Sequence, residues 1–191
     1  MPYELIAIGA SWGGLRAVGE VLAGLPADFG PAVVVAQHRS RDSVKGMLTD
    51  ALGRRTAMTV CEADDKDPIK PGRVHLAPPD YHMLVEDGYF QLSLEAPVSH
   101  SRPSIDVLFE SVAGTFASDC VGVILTGANA DGAAGLAEIK RRGGYTIVQD
   151  PKTAERPEMP LAALAAEPDA VLPLERIAAA VQEACGVEGV R

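Results

Sequence analysis

Short runs rich in Ile and Val alternate along the chain with longer stretches whose apolar residues recur every three or four positions. Tyr3 to Gly9 and Ala32 to Gln37 are continuous apolar runs, the pattern of strands buried on both faces of a sheet. Gly14 to Leu25 follows the first and reads as a helix. Ser43 to Gly53 follows the second, with Val44, Met47, Leu48 and Leu52 at helical spacing. Ala57 to Cys61 and Arg73 to Ala77 read as further short strands, the latter ended by Pro78-Pro79. Met83 to Glu86 and Tyr89 to Leu94 flank Asp87-Gly88, the dipeptide that a two-residue type I′ hairpin turn favours. Ser104 is placed to cap a helix carrying Ile105, Leu108, Phe109 and Val112 on one stripe. Val121 to Leu125 reads as a strand, Thr126 to Asp131 as a loop and Gly132 to Arg142 as a helix. Tyr145 to Gln149 is the last clear strand, followed by a loop at Asp150 to Pro160. Leu174 to Cys185 closes the chain as an amphipathic helix.

Repeated strand-helix alternation predicts an α/β fold: a doubly wound, mainly parallel sheet with helices on both faces, Rossmann-like, with one antiparallel hairpin. No repeat, low-complexity tract or long linker divides the 191 residues, so 1–191 is expected to be a single domain. Apolar residues make up 47% and charged residues 23%, which is globular composition. The formal net charge of −9 argues against a nucleic-acid partner and against broad attachment to an anionic membrane. The N-terminus has no basic segment leading into an apolar run, and no apolar run approaches the ~18 residues of a membrane span. A cytoplasmic location is expected. Cys61, Cys120 and Cys185 are odd in number and far apart, which suggests reduced core thiols rather than disulfides or a zinc site.

In doubly wound sheets, sites form beyond the carboxyl ends of the strands, and three chemically able residues fall there. Gly9-Ala10-Ser11-Trp12-Gly13 fits a nucleophile-elbow spacing, with Ser11 on a tight strand-to-helix turn whose free N–H groups face a developing oxyanion. Read alone, Ser11 is equally a helix cap. The G-x-G-x-x-G and Walker patterns of phosphate loops are absent. His38 ends the second strand and becomes a general base for Ser11 if the two strands are neighbours; a lone histidine there is as well a hydrogen-bonded one without catalytic work. His75 and His82 lie within a strand and at the hairpin start, which suggests structural roles. Asp131 precedes a helix, as an N-cap or as the acid that orients an imidazole. The chain order Ser, His, Asp differs from that of α/β-hydrolases.

These stretches are similar to the catalytic domain of the CheB chemoreceptor methylesterases. The resemblance rests on Ile8-Gly9-Ala10-Ser11, Gln37-His38, Pro71 to Pro78, Ser101 to Phe109, Gly122 to Gly127, Asp131-Gly132-Ala133, Gln149-Asp150, Met159-Pro160 and Val171 to Leu174. It implies a Ser11, His38, Asp131 triad acting through an acyl-enzyme. It implies a γ-glutamyl methyl ester as substrate, on the cytoplasmic helices of a methyl-accepting chemoreceptor or a similar methylated signalling protein, with glutamine deamidation as a further activity. No metal or organic cofactor is implied, and the chain meets the membrane only through its receptor substrate.

Two departures fall near the expected oxyanion site. Trp12 stands where the family usually has a small hydroxyl residue, and Ala128, followed by Asn129, where it usually has Met. Backbone N–H groups at Trp12, Gly13 and Ala128 do not depend on those side chains. Full-length members carry an N-terminal receiver domain, for which a nucleophile at residue 11 leaves no room in this chain. Arg39, Arg41 and Arg102 flank the expected site; Arg102 is a substrate-binding candidate, and a basic rim would steer acidic helices. The departures also motivate two alternatives: an esterase acting on a non-chemotaxis signalling protein, and a binding module of the same fold.

Overall fold

In the computed structural model, which describes residues 3–186, β1 (Leu5–Ala10) enters the centre of a sheet and is buried along its whole length. Met1-Pro2 and residues 187–191, the ends of the expected domain, lie outside the described residues. The chain continues through α1 (Gly14–Ala23), β2 (Ala32–Gln37), α2 (Met47–Gly53), β3 (Thr59–Glu62), β4 (Arg73–Leu76), β5 (His82–Val85) and β6 (Phe90–Ser93). Then follow α3 (Ile105–Phe116), β7 (Cys120–Ile124), α4 (Ala133–Arg141), β8 (Tyr145–Gln149), α5 (Glu158–Ala163), β9 (Ala170–Leu172) and α6 (Leu174–Ala184). Seven strands form one parallel sheet in the order β3-β4-β2-β1-β7-β8-β9. β1 pairs with β2 on one side and β7 on the other, with Leu5 opposite Ala32 and Cys120. The strand order reverses between β1 and β7, so a crevice opens at the carboxyl end of β1.

Side-chain alternation along β1 divides the core. Ile6 and Ile8 join Val18, Leu22, Ile177 and Val181 on one face, while Leu5 and Ala7 join Leu108, Phe109, Leu136 and Ile139 on the other. Two buried faces explain why β1 and β2 read as unbroken apolar runs. All three cysteines are free thiols; burial pushes Cys120 up to about 12 and Cys185 up to about 11.

Three local expectations are corrected: the second helix, the hairpin turn and the loop after β8. The second helix starts at Met47 rather than Ser43: Gly46, at φ 85, forms its N-cap. Val44 and Met47 are 68% and 59% exposed, so their helical spacing marks no buried stripe, and only Leu52 of this helix is buried. The hairpin turn closes through Glu86 N–H to Tyr89 O at 2.9 Å, with positive φ at Gly88 alone. A type I′ turn needs positive φ at both central residues, so Asp87-Gly88 forms a different turn. The hairpin β5-β6 is a sheet of its own, tied to α3 by Val85 N–H to Ser111 Oγ (2.9 Å) and Thr115 Oγ1 to Val85 O (3.0 Å). Finally, the expected loop after β8 gives way at Glu158 to α5, whose Met159 and Ala163 are buried, and β9 adds a three-residue edge strand too short to show a period.

Candidate active site

The turn after β1 is built by close approaches that only glycine permits. Gly13 takes φ 76 and is the N-cap of α1, and a Cβ on Gly14 would meet Gln37 Oε1 at 1.9 Å. Gln37 fills that space: its Nε2 donates to Ser11 O at 2.7 Å and to His38 O at 3.1 Å, fastening the ends of β1 and β2 together. Ser11 N–H donates to Thr126 O at 2.9 Å, and Thr126 Oγ1 donates to Trp12 O at 3.0 Å, so the β7 end holds the same turn from the other side. The N–H groups of Trp12, Gly13 and Ala128 meet no acceptor among the described residues.

Adjacent parallel strands bring His38 beside Ser11, in the register that sets Ala10 opposite Gln37. His38 Nε2 lies 2.6 Å from Asp131 Oδ2, and His38 Nδ1 lies 3.2 Å from Ser11 Oγ. An ionised carboxylate only accepts, so Nε2 carries the proton and donates to Asp131, while Nδ1 accepts from the Ser11 hydroxyl. The ring thus uses its two nitrogens the opposite way round from the serine-protease template.

Asp131 is fully buried and saturated with donors. Ser104 Oγ (2.8 Å) and Asp106 N–H (3.1 Å) donate to its Oδ1; Ile105 N–H (2.7 Å) and His38 donate to Oδ2. It therefore sits on the N-terminus of α3, where free N–H groups and the helix dipole favour an anion. Burial alone would raise this carboxyl; hydrogen bonds from His38, Ile105 and Asp106 outweigh it and hold Asp131 below the ordinary carboxylate range. Glycine makes the approach possible here too, because a Cβ on Gly9 or Gly132 would meet Ile105 Cγ2 at 2.3 or 2.6 Å.

The remaining expected residues are placed as follows. Trp12 is 59% exposed beside Ser11; its Nε1 donates to Glu155 Oε1 at 3.0 Å, and the Arg156 guanidinium lies 5.3 Å from its ring centroid. Ala128 is exposed, and Asn129 turns its Oδ1 back to accept from Asp131 N–H at 3.2 Å. Arg102 lines a cleft of about 290 Å³ beside His38, yet its donors go to Asp80 (2.6 Å) and to the carbonyls of Leu94 and Glu95 (2.8 and 3.0 Å). Arg39 points inward to Glu62 (2.7 Å) and Ala77 O (2.8 Å), leaving Arg41 as the exposed arginine of the expected rim. His75 and His82 are buried, and His82 accepts from Ser104 N–H at 3.2 Å.

Three neighbours were not singled out from the sequence. Ser101 Oγ lies 3.3 Å from His38 Nδ1. Asp106 accepts from Gly132 N–H (2.9 Å) and Gly135 N–H (2.8 Å) beside Asp131; burial first, then the Asp131 charge, push its carboxyl up to about 6. Glu155 fixes Trp12. Ser104 stood in a recognised capping pattern, but nothing local couples it or Asp106 to a residue after β7.

The CheB methylesterase family model matches residues 6–181. A Leptospira interrogans protein named for protein-glutamate methylesterase/protein-glutamine glutaminase activity is 47% identical over 180 residues, covering 93% of each chain. Protein-glutamate methylesterase/protein-glutamine glutaminase 1 of Hahella chejuensis is 43% identical over 184 residues, which are 94% of this chain and 50% of that one. The chain thus spans about half the length of the Hahella relative. The crystal structure of the Thermotoga maritima CheB methylesterase catalytic domain superposes with a TM-score of 0.91 at 31% identity, covering 96% of this chain and 99% of that one.

Proposed function

The chain belongs to the CheB methylesterase family, and from that premise we propose that it is a serine hydrolase that removes methyl esters from glutamate side chains of a methylated signalling protein. The substrate class proposed is the cytoplasmic helical region of a methyl-accepting chemoreceptor. The carrying observation is the unbroken chain from Ser11 Oγ through His38 (3.2 Å) to Asp131 (2.6 Å), at the crevice where the strand order reverses.

The chemistry follows from that geometry. Ser11 Oγ attacks the ester carbonyl while His38 Nδ1 takes its proton. The imidazolium so formed is stabilised through Nε2–H by the Asp131 carboxylate, which α3 keeps ionised. The carbonyl oxygen, now an oxyanion, is met by the unengaged N–H groups at Trp12, Gly13 and Ala128. Collapse breaks the bond from the acyl carbon to the methoxy oxygen, and His38 gives its proton to that oxygen, releasing methanol. Water then repeats the sequence on the acyl-enzyme, giving glutamate and free Ser11. A glutamine side chain enters the same route with ammonia as the leaving group.

Among the described residues no helix is long and apolar enough to cross a membrane. The reading places the enzyme in the cytoplasm, with the receptor as its route to the membrane. Methanol release from methylated receptor cytoplasmic fragments tests it, with wild type and Ser11→Ala in parallel. Release by wild type alone is expected; no release by folded wild type rejects the substrate assignment.

A further inference from the structure

Two hydroxyls converge on one nitrogen of His38. Ser11 Oγ stands 3.2 Å from Nδ1 and Ser101 Oγ stands 3.3 Å from the same atom. Nδ1 offers a single in-plane lone pair, because Nε2 holds the ring proton against Asp131. Only one hydroxyl at a time makes a well-aligned bond to it.

The position of Ser101 is built rather than incidental. Its backbone exchanges two hydrogen bonds with Val98, 2.8 and 3.1 Å, across a turn in which Ser99 and His100 take positive φ. The loop carrying it is anchored on one side by the four hydrogen bonds of Arg102 to Asp80, Leu94 and Glu95, and on the other by His82 Nε2 to Ala96 O at 3.1 Å. Ser101 lines the cleft beside His38, where solvent reaches the imidazole.

We propose that Ser101 is a positioning residue for the second half of the reaction: it holds His38 Nδ1 while Ser11 is acylated. The inference rests on the hydrolase reading above. In the free enzyme Ser11 donates to Nδ1. Once Ser11 Oγ is bonded to the acyl carbon it has no proton to give, and Ser101 becomes the remaining hydroxyl on that nitrogen. A hydroxyl suits both states, since it donates to bare Nδ1 and accepts from Nδ1–H. In deacylation, water displaces the Ser101 hydroxyl from the lone pair, and its oxygen bonds to the acyl carbon as its proton passes to Nδ1; Ser101 Oγ then accepts from Nδ1–H until the Ser11 Oγ–acyl bond breaks and Ser11 recovers that proton. Ser101 keeps the ring aligned for that transfer.

The test separates the two half-reactions with p-nitrophenyl acetate on the full chain. Acylation is read from rapid p-nitrophenolate release, and deacylation from decay of the acetyl-enzyme by quench and mass spectrometry. Ser101→Ala is expected to slow deacylation by about tenfold while acylation changes by less than about threefold, and Ser101→Thr, which keeps the hydroxyl, restores deacylation. Equal loss in both steps, no loss in either, or failure of Ser101→Thr to restore deacylation overturns the proposal. Wild type that forms no acetyl-enzyme at Ser11 overturns the hydrolase reading itself, and is seen before any Ser101 variant is compared.

Discussion

Asp106 and Asp131 cap each other's helices. Asp131, just before α4, accepts the Ile105 and Asp106 N–H groups that open α3 (2.7 and 3.1 Å). Asp106, in the first turn of α3, accepts from Gly132 and Gly135 at the start of α4 (2.9 and 2.8 Å). The exchange locks the two helix starts together and aims the remaining Asp131 valence at His38. Orientation of the imidazole is therefore a property of how α3 packs on α4.

Asp131→Asn tests that arrangement. An amide presents only one acceptor oxygen, and its NH₂ must face a donor, either His38 or the α3 backbone. Loss of kcat on the order of 10³–10⁴ is expected, with a stability loss of about 1–3 kcal/mol. Ester hydrolysis and urea unfolding report the two effects. An Asp131→Asn variant as active as wild type would remove Asp131 from the proposed mechanism.

The same pair predicts a pH dependence of opposite signs. The Asp106 carboxyl sits at about 6 in the native state against an ordinary 3.8. The folded protein therefore holds that proton more tightly, and this contribution to stability is lost as pH rises from about 4 through about 6. Asp131 is held below its ordinary range, so its contribution is present at neutral pH and is lost only as pH falls through that depressed value. Asp106→Asn keeps an acceptor for Gly132 and Gly135 and removes the charge. Its urea midpoint should gain on wild type more at about pH 7.5 than at about pH 4.5. A difference that does not change with pH would contradict the assignment.

Gly127 makes Ser11, the proposed nucleophile, sensitive to a single methyl group. A Cβ there would stand 2.6 Å from Met159 Cε and 2.9 Å from Ser11 Cβ. The methionine end is flexible; Ser11 Cβ is tied to backbone held by Thr126 and Gln37. Gly127→Ala is expected to cost about 1–2 kcal/mol in thermal or urea unfolding, and at least about tenfold in kcat/KM.

Much of this was legible in the sequence for a physical reason. A doubly wound sheet collects its chemistry at strand ends, so Ser11, His38 and Asp131 could be picked out by position alone, and their contacts needed only that β1 lie between β2 and β7. What escaped depends on tertiary register. Ser101 reaches His38 across 63 positions through a loop with no periodic signal. Asp106 looks like an ordinary first-turn acid until α4 is docked on it. The spacing of Val44 and Met47 misled, because an exposed surface segment can carry helical spacing without burying it.

Arg39 and Arg41 looked alike in sequence, and the structure gives them opposite predictions. The Arg39 side chain is 8% exposed and Glu62, its partner at 2.7 Å, is 4% exposed. Reversing the charge at Arg39 buries two carboxylates against each other without a cation, so Arg39→Glu should lose about 3 kcal/mol or more and report on folding alone. Arg41 is exposed, and among the described residues it makes no ion pair, so Arg41→Glu should leave stability within about 0.5 kcal/mol of wild type. If the substrate is an acidic helical surface, Arg41→Glu lowers kcat/KM at low ionic strength, and the gap to wild type closes as salt screens the rim. Measured kcat/KM for methylated receptor fragments across a salt series decides it. Parallel curves for wild type and Arg41→Glu would mean that steering plays no part, and that the cleft beside His38 selects its substrate by shape and hydrogen bonding instead.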